Sequence, residues 1–574
     1  MALTQKLHEL RALLEKNQLA AFTQPVFDEF LSEYPPACFK RVEWFCGFAG
    51  SAGTLVITTD AIALFVDGRY TLQAANEVDT SIITIFNSSD ITPEAWLAKT
   101  IKQAGVGYDA NLFTKSLHTR WQQALSIASL SLIPTPNLID ILWHDRPAVP
   151  TTPIFLHDDA IAGEASNSKC KKIAAELIKN TTDALLISAP DAVCWLLNIR
   201  ARDVECTPLV LARAILYANG NVDLFVDPQR IPKLPIHIRA IHPTLLGDSL
   251  NALTGKILWL DETQTPLSLL NSCTEVGITT QHRTDPCTLP KSIKNEIQVD
   301  AIRATHIMDG VAVTQLLHWL STHADICSVS EMEIADKLLA FRAQHPDFLE
   351  PSFPTIAGSG PNGAIVHYRA NDKTNRHLNA NDMLLLDSGG QYSGGTTDIT
   401  RTIAIGTPTA EQKKHFTLVL KGHIALATAH FPKGTRGSQL DTLARQFLWQ
   451  EGLDYDHGTG HGVGQFLGVH EGPQGISKRA STTDLQVGMT LSNEPGYYKE
   501  NAYGIRIENL VTVIEKENGS LGFDTITCAP IDSNLIDFSL LNEAEKNWLV
   551  NYHQWVLHEL SPLLPKNVAD WLRA

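Results

Sequence analysis

The chain has 574 residues, 44% of them apolar and 19% charged, with a formal net charge of −16. That is the composition of a soluble globular protein of about three or four domains. The acidic balance excludes a non-specific nucleic-acid binder, which needs a basic surface, and no run of about 18 apolar residues is present to cross a membrane.

The nine cysteines run from Cys38 to Cys528, form no Cys-x-x-Cys pair and are odd in number. A chain this long buries a core without staples, so reduced thiols and a cytoplasmic location are expected. Residues 1–11 are amphipathic, carry charges throughout and lack the apolar stretch of a secretory signal.

In chain order, Leu7, Leu10, Leu13 and Leu14 mark one face of a first helix, and residues 53–58 and 61–67 are strands rich in apolar and β-branched side chains. Residues 146–153 hold three prolines, an extended linker and a first boundary. The pattern then restarts, with a helix through Lys171, Ile173, Leu177 and Ile178 and a strand at 184–188. Two echoes join the segments: residues 63–67 resemble 223–227, and Trp44 to Phe48 resembles Trp195 to Ile199. A duplicated α/β domain is expected, over 1–150 and 151–290. The second boundary falls at 284–290, after which Ser292 is expected to cap a long helix with Glu296 in its first turn. Residues 291–574 form a catalytic unit with an extension from about 516, whose final helix carries Trp548, Tyr552 and Trp555 at a spacing that fits packing.

Five residues of this last unit carry the chemistry: Asp387, Asp398, His461, Glu494 and Glu508. Asp387 ends the apolar run 383–386, and Asp398 opens a returning strand after glycine-rich turns. A hairpin of this kind sets the two acids side by side on one face. Each buried carboxylate is costly alone and repels the other, and a divalent cation between them removes both penalties. His457 and His461 are interleaved with Gly458, Gly460 and Gly462, which argues against a helix and for a loop that approaches a site closely. Pro495 holds Glu494 extended. On the period-two stretch 503–510, Arg506 and Glu508 share a face, and the guanidinium favours the ionised, ligating carboxylate. An oxygen-rich set with one nitrogen favours two divalent ions, Mn²⁺ first, with Co²⁺ or Zn²⁺ as alternatives. The glycine-rich loop lacks a Gly-Lys-Ser/Thr sequence and is not a phosphate cradle.

In this order the ligand set resembles the M24 "pita-bread" metallopeptidases, and within them aminopeptidase P (Xaa-Pro aminopeptidase) of the large cytosolic three-domain type. The residues similar to that family include 358–368 with His367, 457–473 with His457 and His470, Gly47 to Gly53, Asp67 to Tyr70, and the tail around Tyr552. The resemblance implies two creatinase-like α/β domains followed by a pita-bread catalytic domain. It implies two metals bridged by Asp398 and Glu508, with Asp387 on one and His461 and Glu494 on the other, and Glu494 assisting deprotonation of the attacking water. It further implies His367 as proton shuttle and His457 and His470 holding the substrate, with Arg506 and Arg69 among the substrate-binding residues. The expected partners are peptides with an N-terminal Xaa-Pro and a second copy in a homodimer, with no nucleic acid and no membrane. Arg200 and Ala201 depart from the family's glycine in a turn of the second domain. Another hydrolase of the same fold, a dipeptide-specific prolidase or a creatinase-like enzyme, and a domain of this fold without activity that serves as a binding module, are the alternatives.

Overall fold

The computed structural model describes residues 1–574 except Gln103 and Pro232. The chain divides into two compact units, one of residues 1–157, 164–205 and 209–287, the other of 158–163, 206–208 and 288–574. Among the described residues no helix is long and apolar enough to cross a membrane, and the nine cysteines are thiols, not disulfides.

The first unit is a duplication. Helix α1 (Leu3–Lys16) buries Leu7, Leu10 and Leu14, and the first sheet contains β1 (Leu19–Pro25), β2 (Thr54–Thr58), β3 (Ile62–Val66), β4 (Thr84–Asn87), β5 (Gly105–Tyr108) and β6 (Ser131–Pro134), ordered β4-β3-β2-β1-β5-β6. The second contains β7 (Ala184–Ile187), β8 (Arg213–Tyr217), β9 (Val222–Phe225), β10 (Ile238–Ile241), β11 (Ile257–Leu260) and β12 (Thr279–His282), ordered β10-β9-β8-β7-β11-β12. Pairing directions also repeat: the first strand of each repeat is antiparallel to the second and parallel to the fifth, and the third is parallel to the fourth. The echoed segments 63–67 and 223–227 fall on β3 and β9, equivalent strands. Helices Arg41–Cys46 and Pro190–Leu197, with Trp44 and Trp195, each precede the second strand of their repeat. One apolar cluster joins Phe113, Trp121 and Leu125 to Leu260, Leu267 and Leu270.

The second unit opens on α2 (Glu296–Thr322). Its cap is Asn295, in a reciprocal capping box with Gln298, not Ser292, which ends a separate short helix, Thr288–Ser292. Glu296 lies in the first turn as expected. Strands β13 (Ile356–Ser359), β14 (Met383–Ser388) and β15 (Ile399–Ala404) form one antiparallel sheet with β14 central. A six-stranded sheet contains β16 (His430–Phe431), β17 (Gly460–Gly462), β18 (Glu471–Ile476), β19 (Thr490–Asn493), β22 (Asn509–Glu515) and β23 (Leu521–Thr525), ordered β16-β23-β22-β19-β17-β18, and β20 (Gly496–Lys499) pairs with β21 (Tyr503–Arg506). Helices α3 (Ala410–Ala427), α4 (Gly437–Trp449) and α5 (Glu543–Leu560) complete this unit's main elements, and α5 packs Leu549, Tyr552, Val556 and Leu560 into the same apolar cluster as Phe416, Val419 and Ile505.

Candidate metal centre

The five acid and imidazole ligand candidates converge in the second unit. Asp387 pairs in register with Thr400 across β14 and β15, which brings Asp398, two residues before Thr400, to the same end. This is not one continuous hairpin, because Gly390–Tyr392 pairs with Gly395–Thr396 on one side and with Phe348–Pro351 on the other, in a separate small sheet. The segment through Glu508 runs beside β15: the Glu508 amide donates to the Thr400 carbonyl at 3.1 Å, and Thr400 Oγ1 donates to Glu508 Oε2 at 2.8 Å. Regular strand stops at Arg506 and resumes at Asn509, so the period-two reading of 503–510 breaks at Ile507 and Glu508.

His461 lies in strand β17, not in a loop. The glycines flanking it allow this: a Cβ on Gly460 would stand 2.1 Å from the Ser492 carbonyl oxygen, and one on Gly462 2.1 Å from that of Glu471. His461 Nδ1 lies 2.9 Å from the Gly462 carbonyl, the geometry that puts the proton on Nδ1 and leaves Nε2 to face the acids. Nε2 is 3.4 Å from Asp398 Oδ2 and 3.4 Å from Glu494 Oε1. One donor atom each from Asp398, His461 and Glu508 fall within 4.8 Å of one another. Glu494 is fixed by its amide, which donates to the Thr459 carbonyl at 2.8 Å, and by Ser492 Oγ, which donates to Oε1 at 3.1 Å.

The electrostatics of this cluster call for a cation. Burial, reinforced by Asp398 and opposed by Arg506, pushes the Asp387 carboxyl up to about 6. Burial, then repulsion from Asp398, Glu494 and Asp387, raises Glu508 well above the carboxylate range, and burial raises Glu494. Burial alone would lower His461, yet Asp398 and Glu494 override it and carry it up to about 9. Asp387 Oδ1 is buried with no hydrogen-bond partner. Bound divalent ions would relieve both the repulsion and the orphaned oxygen, so the residues present fit a metal pair. The side chains of His461 and Glu494 are 24% and 16% exposed, against 6% for Asp398, so the centre opens to solvent on the His461 and Glu494 side.

The structure brings most of the other site candidates to this cluster. His470 stacks edge-on to His461, ring centroids 4.4 Å apart. His457 has Nδ1 2.7 Å from the Gly458 carbonyl, Nε2 2.8 Å from the Tyr498 hydroxyl, and lies 3.7 Å from Glu494. Arg506, 2% exposed, makes its ion pair with Asp387, and its charge still favours the ionised form of Glu508 against burial, as its strand position implied. Its Nη2 meets Asp387 Oδ2 at 2.5 Å, its Nη1 bonds the Tyr498 hydroxyl, and its Nε donates to Thr400 Oγ1 at 3.1 Å. His367 follows the short helix Gly360–Ala364, and the neighbouring Val366 carbonyl accepts from Arg506 Nη2 at 3.4 Å. Arg69 belongs to the first unit, where its guanidinium pairs with Asp67 at 2.7 Å. Sequence reasoning missed Tyr498 and Thr400. The repeated Tyr497-Tyr498 after Glu494 was a signal for the first, whereas nothing local marks Thr400.

The model of metallopeptidase family M24 matches residues 300–515, models of the creatinase/prolidase N-terminal domain match 6–142 and 145–298, and that of the C-terminal region of peptidase M24 matches 519–574. A probable Xaa-Pro aminopeptidase P of Laccaria bicolor is 38% identical over 99% of this chain and 92% of its own. Xaa-Pro aminopeptidase 1 of Dictyostelium discoideum is 37% identical over 100% and 96%. The crystal structure of X-prolyl aminopeptidase from Caenorhabditis elegans, described as a cytosolic enzyme with a di-nuclear active site, superposes with a TM-score of 0.94 at 32% identity, covering 100% of this chain and 99% of that one. The chain belongs to the Xaa-Pro aminopeptidase P family of M24 metallopeptidases, with two creatinase-type N-terminal domains ahead of its pita-bread domain.

Proposed function

We propose that this protein is a metal-dependent Xaa-Pro aminopeptidase that removes the first residue from peptides with proline in second position. The observation that carries the reading is the convergence of Asp387, Asp398, His461, Glu494 and Glu508 in a chain of this family. Asp398 and Glu508 would bridge two divalent ions, Asp387 completing one site and His461 and Glu494 the other. The oxygen-rich donor set favours Mn²⁺. When bound, such a pair polarises a carbonyl and lowers the pKa of water towards neutrality. Glu494, on the open side, takes the proton of the attacking water. His457 and His470 hold the peptide near the scissile bond. The leaving proline nitrogen belongs to a tertiary amide without N–H, so it must gain a proton to depart, and His367 delivers it. Arg506 favours the ionised form of Asp387 against burial, and Arg69 is a substrate-binding residue by the family resemblance alone.

The expected result is Mn²⁺-dependent release of the N-terminal residue from Arg-Pro-Pro, faster than from an Xaa-Pro dipeptide. Equal release from a peptide with alanine in place of proline would refute the specificity, and activity on dipeptides alone would make the protein a dipeptidase. We place the enzyme in the cytoplasm, on its thiols, none of which is in a disulfide, and infer a homodimer from the family. Sedimentation at micromolar concentration is expected to give twice the 63.1 kDa chain mass, and a monomer there would refute the dimer.

A further inference from the structure

The segments that carry Asp398 and Glu508 are tied to the C-terminal tail through one buried guanidinium. Arg401 is 2% exposed. Its Nη1 donates to the carbonyls of Thr400 at 2.9 Å and Glu508 at 2.7 Å. Its Nη2 donates to Asn509 Oδ1 at 2.9 Å, the Ala529 carbonyl at 2.8 Å and the Tyr552 hydroxyl at 2.9 Å, and its Nε to the Pro530 carbonyl at 2.9 Å. Ala529, Pro530 and Tyr552 lie in the tail, 519–574, whereas Glu508 lies between β21 and β22 and Asn509 opens β22.

The contacts continue inward. Asn509 Nδ2 is 3.2 Å from His423 Nε2, His423 Nδ1 is 3.1 Å from the Asn493 carbonyl, and Asn493 Nδ2 donates back to the His423 carbonyl at 2.9 Å. The carbonyl of Asn493 requires a proton on Nδ1, and the amide of Asn509 requires a bare Nε2, so this imidazole works in its neutral form. Burial, with Arg401 nearby, pushes it down to about 3. Asn493 directly precedes Glu494. The backbones of Glu508 and of the residue before Glu494 therefore hang on one polar network whose outer anchor is a tail tyrosine. Packing alone does not need that hydroxyl: Tyr552 already stacks on Trp548 at 5.2 Å. A buried network satisfied throughout is rigid, and the planar guanidinium fork meets several acceptors at fixed angles where an ammonium cannot.

We propose that Arg401 and Tyr552 are positioning residues for Glu508 and Glu494, so that the C-terminal tail is part of the metal centre. The proposal rests on the ligand assignment made above. The test is equilibrium dialysis of Mn²⁺ against the full-length wild type, Arg401→Lys, Tyr552→Phe and Val568→Ala, beside melting of each metal-free protein. Val568, 4% exposed in the tail's apolar cluster, is the packing control.

Loss of the fork in Arg401→Lys should weaken Mn²⁺ binding about 10–100-fold, the range for groups that orient metal ligands. Tyr552→Phe should weaken it about fivefold, the scale of one net hydrogen bond. Val568→Ala should lower the melting temperature and leave affinity unchanged. If Arg401→Lys does not fold, Tyr552→Phe, which removes a single hydroxyl, decides alone. Wild-type affinity in Tyr552→Phe and Arg401→Lys, with melting lowered as in Val568→Ala, would overturn the proposal and leave the ligand assignment standing. A wild type that binds fewer than two ions would overturn the assignment itself.

Discussion

Asp398→Asn and Glu508→Gln are each expected to abolish metal binding and turnover together. Each removes the charge of a carboxylate that serves both ions, whereas a change one shell out costs roughly 10–100-fold in metal affinity, so a bridging ligand should cost more. The Glu508→Gln variant should not suffer in folding. In the metal-free protein burial and three neighbouring acids already push Glu508 towards its neutral form. Glutamine keeps an oxygen for the Thr400 hydroxyl, which donates to Glu508 Oε2 at 2.8 Å. The metal-free melting temperature is therefore expected at or above that of the wild type, while the rise on adding Mn²⁺, which follows from binding only the folded state, is lost. Two metals per chain and normal turnover in either variant would show the ligand assignment to be wrong.

His367→Ala is expected to keep its full metal complement and lose turnover by about 10²–10⁴-fold, the usual contribution of a positioned proton donor. The turn that carries His367 is held from two sides. A Cβ on Gly504 would stand 1.7 Å from the Gly363 carbonyl oxygen, so only glycine lets β21 seat the Gly360–Ala364 helix. On the other side the buried Glu331 accepts from the Ser359 amide and the Tyr368 hydroxyl, each at 2.8 Å. Deleting the imidazole therefore leaves its backbone in place. Loss of metal would make His367 a ligand, and an unchanged kcat on Arg-Pro-Pro would make it a bystander.

The ligand cluster was legible in the sequence because short-range constraints mark it. Asp387 ends a run of four apolar residues, Pro495 restrains Glu494, and glycines bracket His461 because neighbouring carbonyls leave no room for a Cβ. The duplication was legible for a similar reason: equivalent strands bury similar side chains, so 63–67 and 223–227 echo each other. His461 was misplaced into a loop because glycine-rich runs in loops and in closely approached strands look alike until the partner strand is known. The cap at Ser292 failed because Asn295, three residues on, makes the reciprocal box with Gln298.

By itself, then, the sequence determined the repeated α/β domains, the order of the ligand candidates, the family they resemble and the chemistry that their donor types favour. All of these depend on residue type and local spacing. The tertiary structure decided what depends on partners far along the chain. It turned Arg506 to Asp387, 119 residues away, rather than to its strand neighbour Glu508. It inserted a separate small sheet between Asp387 and Asp398, and it carried the hydroxyl of Tyr552 to Arg401 across 151 residues. The spacing of Trp548, Tyr552 and Trp555 announced a packed helix face, and the face does pack. Which buried guanidinium would use the hydroxyl was settled by unsatisfied donors that meet only when the tail folds back on the ligand strands.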